Sequence, residues 1–186
     1  YGNTTFQYMV AETNTDDEIT DAVSYINETI LSSTVRIKDG GSLDLINSTF
    51  ILMDEGDQLI VYEDSYLNST NSSKIYSSSG MTVRALEGSN LYMIDSSVHD
   101  SSTSSVPTMM VLHEGEIHNT TFSGPNVQVM VGDIGVWINS STFTGIDSVT
   151  GLYIDVNHTH KDEMTKITYC SFNGTFEVPI KIANNS

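Results

Sequence analysis

Positive charge is scarce in this chain. Seven lysines and arginines face 24 aspartates and glutamates, leaving a formal net charge of −17. So few cations cannot neutralise a phosphate backbone, which argues against nucleic acid. The same deficit disfavours docking on an anionic membrane surface. Long apolar runs are missing too. No stretch approaches the ~18 residues of a membrane span, and no basic-then-apolar leader stands at the start. Tyr1 is compatible with a mature chain or with a fragment of a longer one. Cys170 is the single cysteine, so an internal disulfide is excluded. It reads as a small buried hydrophobe or as one half of an intermolecular disulfide.

What is present is neutral polarity and short apolar pieces. Hydrophobic residues make up 38% of the chain, enough for a thin core. Nine tyrosines, six phenylalanines and alternating Val, Ile and Leu weigh against disorder. Asn-x-Ser/Thr sequons stand at Asn3, Asn27, Asn47, Asn68, Asn71, Asn119, Asn139, Asn157, Asn173 and Asn184. Together they predict a secreted, glycosylated protein at the cell surface.

An internal repeat organises the sequence. Residues 34–50 laid over 82–98 match at Thr34/Thr82, Val35/Val83, Arg36/Arg84, Gly40/Gly88, Leu43/Leu91, Ile46/Ile94 and Ser48/Ser96, without a gap. Halving the offset of 48 exposes the unit. Asn47, Asn71, Asp95 and Asn119 lie 24 apart, and each is followed by two hydroxyl residues. Val35, Leu59 and Val83 keep this step, as do Leu43, Leu67 and Leu91; Ile37, Val61, Ala85 and Met109 form a further column. Asn139 comes 20 residues after Asn119, and Tyr169-Cys170-Ser171-Phe172 reads as a degenerate last copy. Within a unit, apolar residues alternate over three or four positions, the mark of short half-buried strands, with glycines between them as turns. Several strands per 24 residues and no crossover helix predict an all-β parallel β-solenoid of about six to seven coils. A β-sandwich is the alternative.

The start reads differently. Thr15 with Glu18 makes a capping box, and Ile19, Ala22, Val23, Ile26 and Ile30 share one helical face. The expectation is a segment 1–33 whose short helix caps the first coil, followed by solenoid coils over 34–186. Asn27 fits the Asx step but falls in this helix, so its position is set aside as coincidence. Val178, Ile180 and Ile182 form a strand pattern near the other end, where no cap is visible.

The Asn-Ser-Thr-Phe turn, as in Asn47-Ser48-Thr49-Phe50 and Asn119-Thr120-Thr121-Phe122, resembles the right-handed parallel β-helix repeats of large archaeal cell-surface proteins. Over residues 15–182 the chain is similar to that superfamily in architecture. Among its members, the composition looks most like envelope proteins, including the sheath proteins of filamentous methanogens. The resemblance implies an extracellular structural role and says little about chemistry, since the fold hosts lyases, adhesins and spikes alike.

Candidate sites are few. Adjacent coils of a solenoid lie ~4.8 Å apart, so glycans on one column would crowd. Asn47, Asn71, Asp95, Asn119 and Asn139 are therefore expected to form a structural Asx ladder. Asn68, Asn157, Asn184, Asn173 and Asn3 are the better glycan sites. A pectate-lyase-type chemistry would use Arg36 and Arg84, two coils apart on one outward face, with Asp44, Asp64 or Asp133. An acidic polysaccharide would be repelled by the net charge. His158 and His160, followed by Asp162 and Glu163, are the weak metal candidates. Asp54-Glu55-Gly56-Asp57 lacks a dedicated Ca²⁺ loop pattern, so at most weak surface binding of Ca²⁺ is expected. Neither a nucleophile elbow nor a phosphate loop is present. The expectation is a non-enzymatic envelope protein, without a cofactor, whose open solenoid edges bind further copies of itself, other envelope components or glycans. A carbohydrate-binding or lyase module, or an adhesin or spike, is the alternative; the first would need an exposed aromatic row, for which Tyr62, Tyr92, Tyr153 and Trp137 are the candidates.

Overall fold

Strands this short cannot stand alone, and each must find its backbone partners elsewhere in the chain. In the computed structural model they find them one repeat away. It describes residues 11–13, 17–102, 107–111, 114–125, 127–132, 135–155 and 165–183. The first strands are β1 (Ala11–Thr13), β2 (Asp17–Ile19), β3 (Ala22–Ile26), β4 (Thr29–Ser32), β5 (Val35–Ile37) and β6 (Ser42–Ile46). Next come β7 (Thr49–Leu52), β8 (Asp57–Val61), β9 (Tyr66–Thr70), β10 (Lys74–Ser77), β11 (Met81–Ala85) and β12 (Asn90–Ile94). They are followed by β13 (Ser97–Asp100), β14 (Met109–Val111), β15 (Glu114–His118), β16 (Thr121–Gly124), β17 (Val129–Val131) and β18 (Val136–Asn139). Last are the long β19 (Thr142–Asp155), β20 (Lys166–Thr168) and the long β21 (Ser171–Ala183).

Every third strand pairs in parallel with its counterpart one turn on, which makes a parallel β-solenoid of about six turns. Three faces result. One carries β1, β4, β7, β10, β13 and β16; the second carries β2, β5, β8, β11, β14 and β17; the third carries β3, β6, β9, β12, β15, β18 and β20. The first two join into one 14-stranded sheet through β19, which pairs with β16 near its start and β17 near its end.

The pairing register gives the length of each turn. Ser42 pairs with Tyr66 and Asn90 with Tyr66, two steps of 24 (66 − 42 and 90 − 66). Before these the turns are shorter: Ala22 pairs with Ser42, a step of 20 (42 − 22). After them Thr121 pairs with Thr142, a step of 21 (142 − 121), and Thr142 pairs with Ser171, a step of 29 (171 − 142). One predicted column shifts accordingly. Met109 pairs with Val83 and belongs to the column of Val35 and Leu59, while Ala85 continues to Val111. The span from Val83 to Met109 holds 26 residues (109 − 83), two more than the regular repeat.

Of residues 15–31, where the capping helix is expected, 17–31 are described and form no helix, and no helix occurs among the described residues. Residues 17–32 make β2, β3 and β4 instead, so the solenoid starts well before residue 34. The edges of β5, β6 and β7 supply the reason. Pairing there satisfies their open backbone groups and stacks Val23 and Tyr25 over Leu43 and Leu45, and Ile30 over Phe50. An isolated helix of this length is marginal in water, so the template wins. Thr15 of the capping box lies outside the described residues.

The core is a column of stacked side chains one turn wide. Leu43, Leu67 and Leu91 are fully buried in file on the third face. On the first face Phe122 stacks on Phe143 at 5.2 Å, and Phe143 on Phe172 at 4.8 Å, with planes within 15°. Each turn touches only its neighbours, so stability is close to a sum of interfaces between turns.

Candidate functional site

The turn from the third face to the first bends sharply, and one residue per coil takes the left-handed backbone. These residues are Asn27, Asn47, Asn71, Asp95, Asn119, Ser140 and Tyr169, with φ between 45° and 57°. Asn and Asp bear this conformation better than other side chains with a Cβ, which accounts for the repeated Asx. Asn27 is thus a true member of the column. Asn139 is not: it pairs with His118 one position earlier, and Ser140 takes the bend. Two side-chain rungs run up the column. Asn47 Nδ2 donates to Asn27 Oδ1 at 2.7 Å, and Asn119 Nδ2 donates to Asp95 Oδ1 at 2.7 Å. At Asn71 the chain adds Ser72, also left-handed at φ 67°.

The hydroxyl that follows is the part sequence reasoning missed. Ser48, Ser73, Ser96, Thr120 and Ser141 are buried in file behind the Asx column. Ser48 Oγ donates to the carbonyls of Tyr25 and Ile46, both at 3.0 Å, and accepts from Glu28 N. Thr120 Oγ1 reaches the carbonyls of Met93 and His118 at 3.2 and 2.9 Å. The hydroxyl also accepts from a backbone N–H of the neighbouring bend, from Glu28 to Ser48, from Ser48 to Ser73 and from Thr120 to Ser141, while the Ile46 and His118 carbonyls it reaches already accept from Asn27 N and Asp95 N. The signal was in the hydroxyl letters after the Asx: the second of the triplet is buried at Ser48, Ser96 and Thr120, the third at Ser73 and Ser141. Cys170 is the last rung, half-buried, with Sγ 3.4 Å from the Thr168 carbonyl and 3.8 Å from that of Ile138. Burial pushes its thiol pKa up, against hydrogen bonds with the Ser141 and Thr168 backbone that lower it. The protonated thiol is the unreactive form.

The two ends of the rod differ in chemistry. At the C-terminal end, β21 pairs with β19 on one side and has no strand on the other among the described residues. Ile180 and Ile182 continue columns whose preceding members, Leu152 and Ile154, are buried. They are nevertheless 43% and 68% exposed, and Val178 beside them is 40% exposed. The described residues 165–183 carry two lysines, Lys166 and Lys181, and one acid, Glu177. At the N-terminal end, the described residues 17–35 carry four acids, Asp17, Glu18, Asp21 and Glu28, and no lysine or arginine. There β2 and β3 bear Asp17, Glu18, Ile19 and Tyr25 around a hollow of about 230 Å³ that reaches Ile30 and Phe50. Glu18 Oε2 is paired with Lys38 Nζ at 2.7 Å. Burial raises the Tyr25 phenol pKa, and the charges of Asp17 and Glu28 raise it further.

The remaining candidates scatter. Arg36 and Arg84 do share one outward column, separated by Ile60. Asp44 lies on another face, where it accepts from Ser24 Oγ and Asn68 Nδ2, and Asp64 lies in a turn. The sequon nitrogen of Asn68 is therefore engaged, whereas Asn173 is exposed on β21. Asn3, Asn157, Asn184, His158, His160 and Asp133 lie outside the described residues. No three metal-ligating side chains converge among the described residues, and no helix long and apolar enough to cross a membrane occurs among them. Tyr92 and Trp137 share the outward side of the third face. Tyr62 follows β8 in a turn, and Tyr153 lies on β19 with Lys181 Nζ 5.4 Å from its ring centre.

These features define a structural class, the parallel β-solenoid. Comparisons with protein-family models, with curated proteins and with solved structures give no match. The likeness to archaeal surface repeats therefore reaches the solenoid fold and stops there.

Proposed function

We propose that this chain is an extracellular structural protein of the cell envelope. In this reading it builds fibres, hoops or sheaths by stacking head to tail with further copies of itself. The observation that carries the reading is the row Val178, Ile180 and Ile182 on the open edge of β21. An open strand edge beside unburied core positions invites another parallel strand. A second copy fits because its first coil offers matching faces: β1 and β2 for β21, and β3 for β20. Covering each isoleucine would contribute on the order of 1–2 kcal/mol. The end that bears Lys166 and Lys181 then meets the acidic first coil with Asp17, Asp21 and Glu28, which favours this polarity over joining like ends. Heterologous contacts of this kind extend into filaments or close into rings.

Negative-stain microscopy of the purified chain tests it. Ordered filaments or rings are expected in the native protein and are lost in Ile180→Lys/Ile182→Lys. A strict monomer at high concentration contradicts the proposal.

A further inference from the structure

The outward side of the third face carries a second surface, distinct from the open end. Side chains there stand roughly perpendicular to the sheet. The register sets Asn68, Tyr92, Glu116, Trp137 and Lys166 in one file, one residue per turn. Trp137 is 41% exposed. Its ring is steadied edge-on by His118, with centroids 4.7 Å apart and planes at 79°. His118 Nε2 lies 3.4 Å from Glu116 Oε2. Tyr66, also 41% exposed, stands on β9 near Tyr92. Burial raises the Tyr92 phenol pKa, and the nearby Glu114, Glu116 and Tyr66 raise it further.

Two aromatic plates, Tyr92 and Trp137, therefore stand two turns apart, about 9.6 Å. A hydrogen-bonding carboxylate lies between the two plates, and an amide and an amine lie beyond them. A protein-binding patch depletes charge at its centre; here a glutamate occupies the centre. A flat sugar chain lying along the rod axis meets the file differently. One strand spacing is close to the length of one pyranose unit, so alternate rings would stack on Tyr92 and Trp137. The hydroxyls between would reach Glu116 and Asn68. C–H faces of sugars suit aromatic plates, and carboxylates accept from hydroxyls. Asp44, Glu114 and Glu116 on this face disfavour an anionic polymer.

We infer that this face binds a neutral, ribbon-like polysaccharide running parallel to the solenoid axis, with Tyr92 and Trp137 as its stacking plates. The inference is independent of end-to-end assembly. Trp137 is the only tryptophan, so its fluorescence reports on this face alone. Titration with cellohexaose, mannohexaose, chitohexaose and hexagalacturonate is the test. At least one neutral hexasaccharide should shift the emission, and the anionic one should not. Tyr92→Ala should weaken that binding about tenfold or more by calorimetry, with an unchanged circular dichroism spectrum. No shift with any neutral sugar at about 10 mM, weaker than specific recognition, overturns the inference. So does unchanged affinity in Tyr92→Ala. If Tyr92→Ala/Trp137→Ala alters sedimentation but no sugar binds, the face is a protein contact and the inference fails.

Discussion

The turns between Ser42 and Gly124 and the last turn after Thr142 share one plan and differ in completeness. In the middle, inward columns are closed above and below, and Leu67, Leu91 and Phe122 are fully buried. In the last turn the same columns continue, yet Phe172 and Phe176 are only half-buried and Ile182 is largely exposed. The repeat lengthens there to 29 residues, and β21 runs across two faces without a break. A solenoid turn is stabilised by two neighbours, and among the described residues the last turn has one. Its side chains already occupy the positions that a further turn would cover, which is why it reads as a surface awaiting a partner.

Substitutions can break this comparison or sharpen it. The largest effect is expected in the middle. Phe122→Ala removes a fully buried ring from the stack and should cost about 3–5 kcal/mol in denaturant unfolding. Phe172→Ala, at the open end, should cost less than half of that in dilute protein. Equal losses would mean that the last turn is as closed as the middle. Gly124→Ala comes next. Gly124 has φ 152°, and a Cβ there would collide with the Asp100 carbonyl oxygen, so a loss above about 1 kcal/mol is expected. Asn47→Ala keeps the fold but loses both the left-handed preference and the bond to Asn27. Thermal unfolding should register about 1–2 kcal/mol. The smallest effect has the opposite sign. Tyr169 holds the same bend at φ 55° with a side chain 90% exposed. Tyr169→Asn should therefore stabilise by about 0.5–1 kcal/mol.

Much of the regular middle was legible in sequence because its turns keep one length and one bend residue. A step of 24 is readable only while nothing is inserted. Ser72 slips the following hydroxyl by one place, the long segment before Met109 moves it to another column, and the short turn before Ser140 displaces Asn139 from the bend. The first turn was misread for another reason. Ile19, Val23, Ile26 and Ile30 satisfy a helical spacing, while the alternation Val23, Tyr25 satisfies a strand, and local pattern alone cannot choose. The neighbouring strand edges choose, and they are tertiary information. The buried hydroxyl column was visible as letters but not as a role, because Ser and Thr are ordinarily surface residues. The aromatic file on the third face needed the register, since Tyr92 and Trp137 are separated by turns of different length.

Hydrogen exchange of the β21 amides over a dilution series is the most direct measurement. Stacking predicts that protection of residues 171–183 rises with protein concentration while that of β9 and β12 stays constant. Protection of β21 that is the same at every concentration would contradict the account.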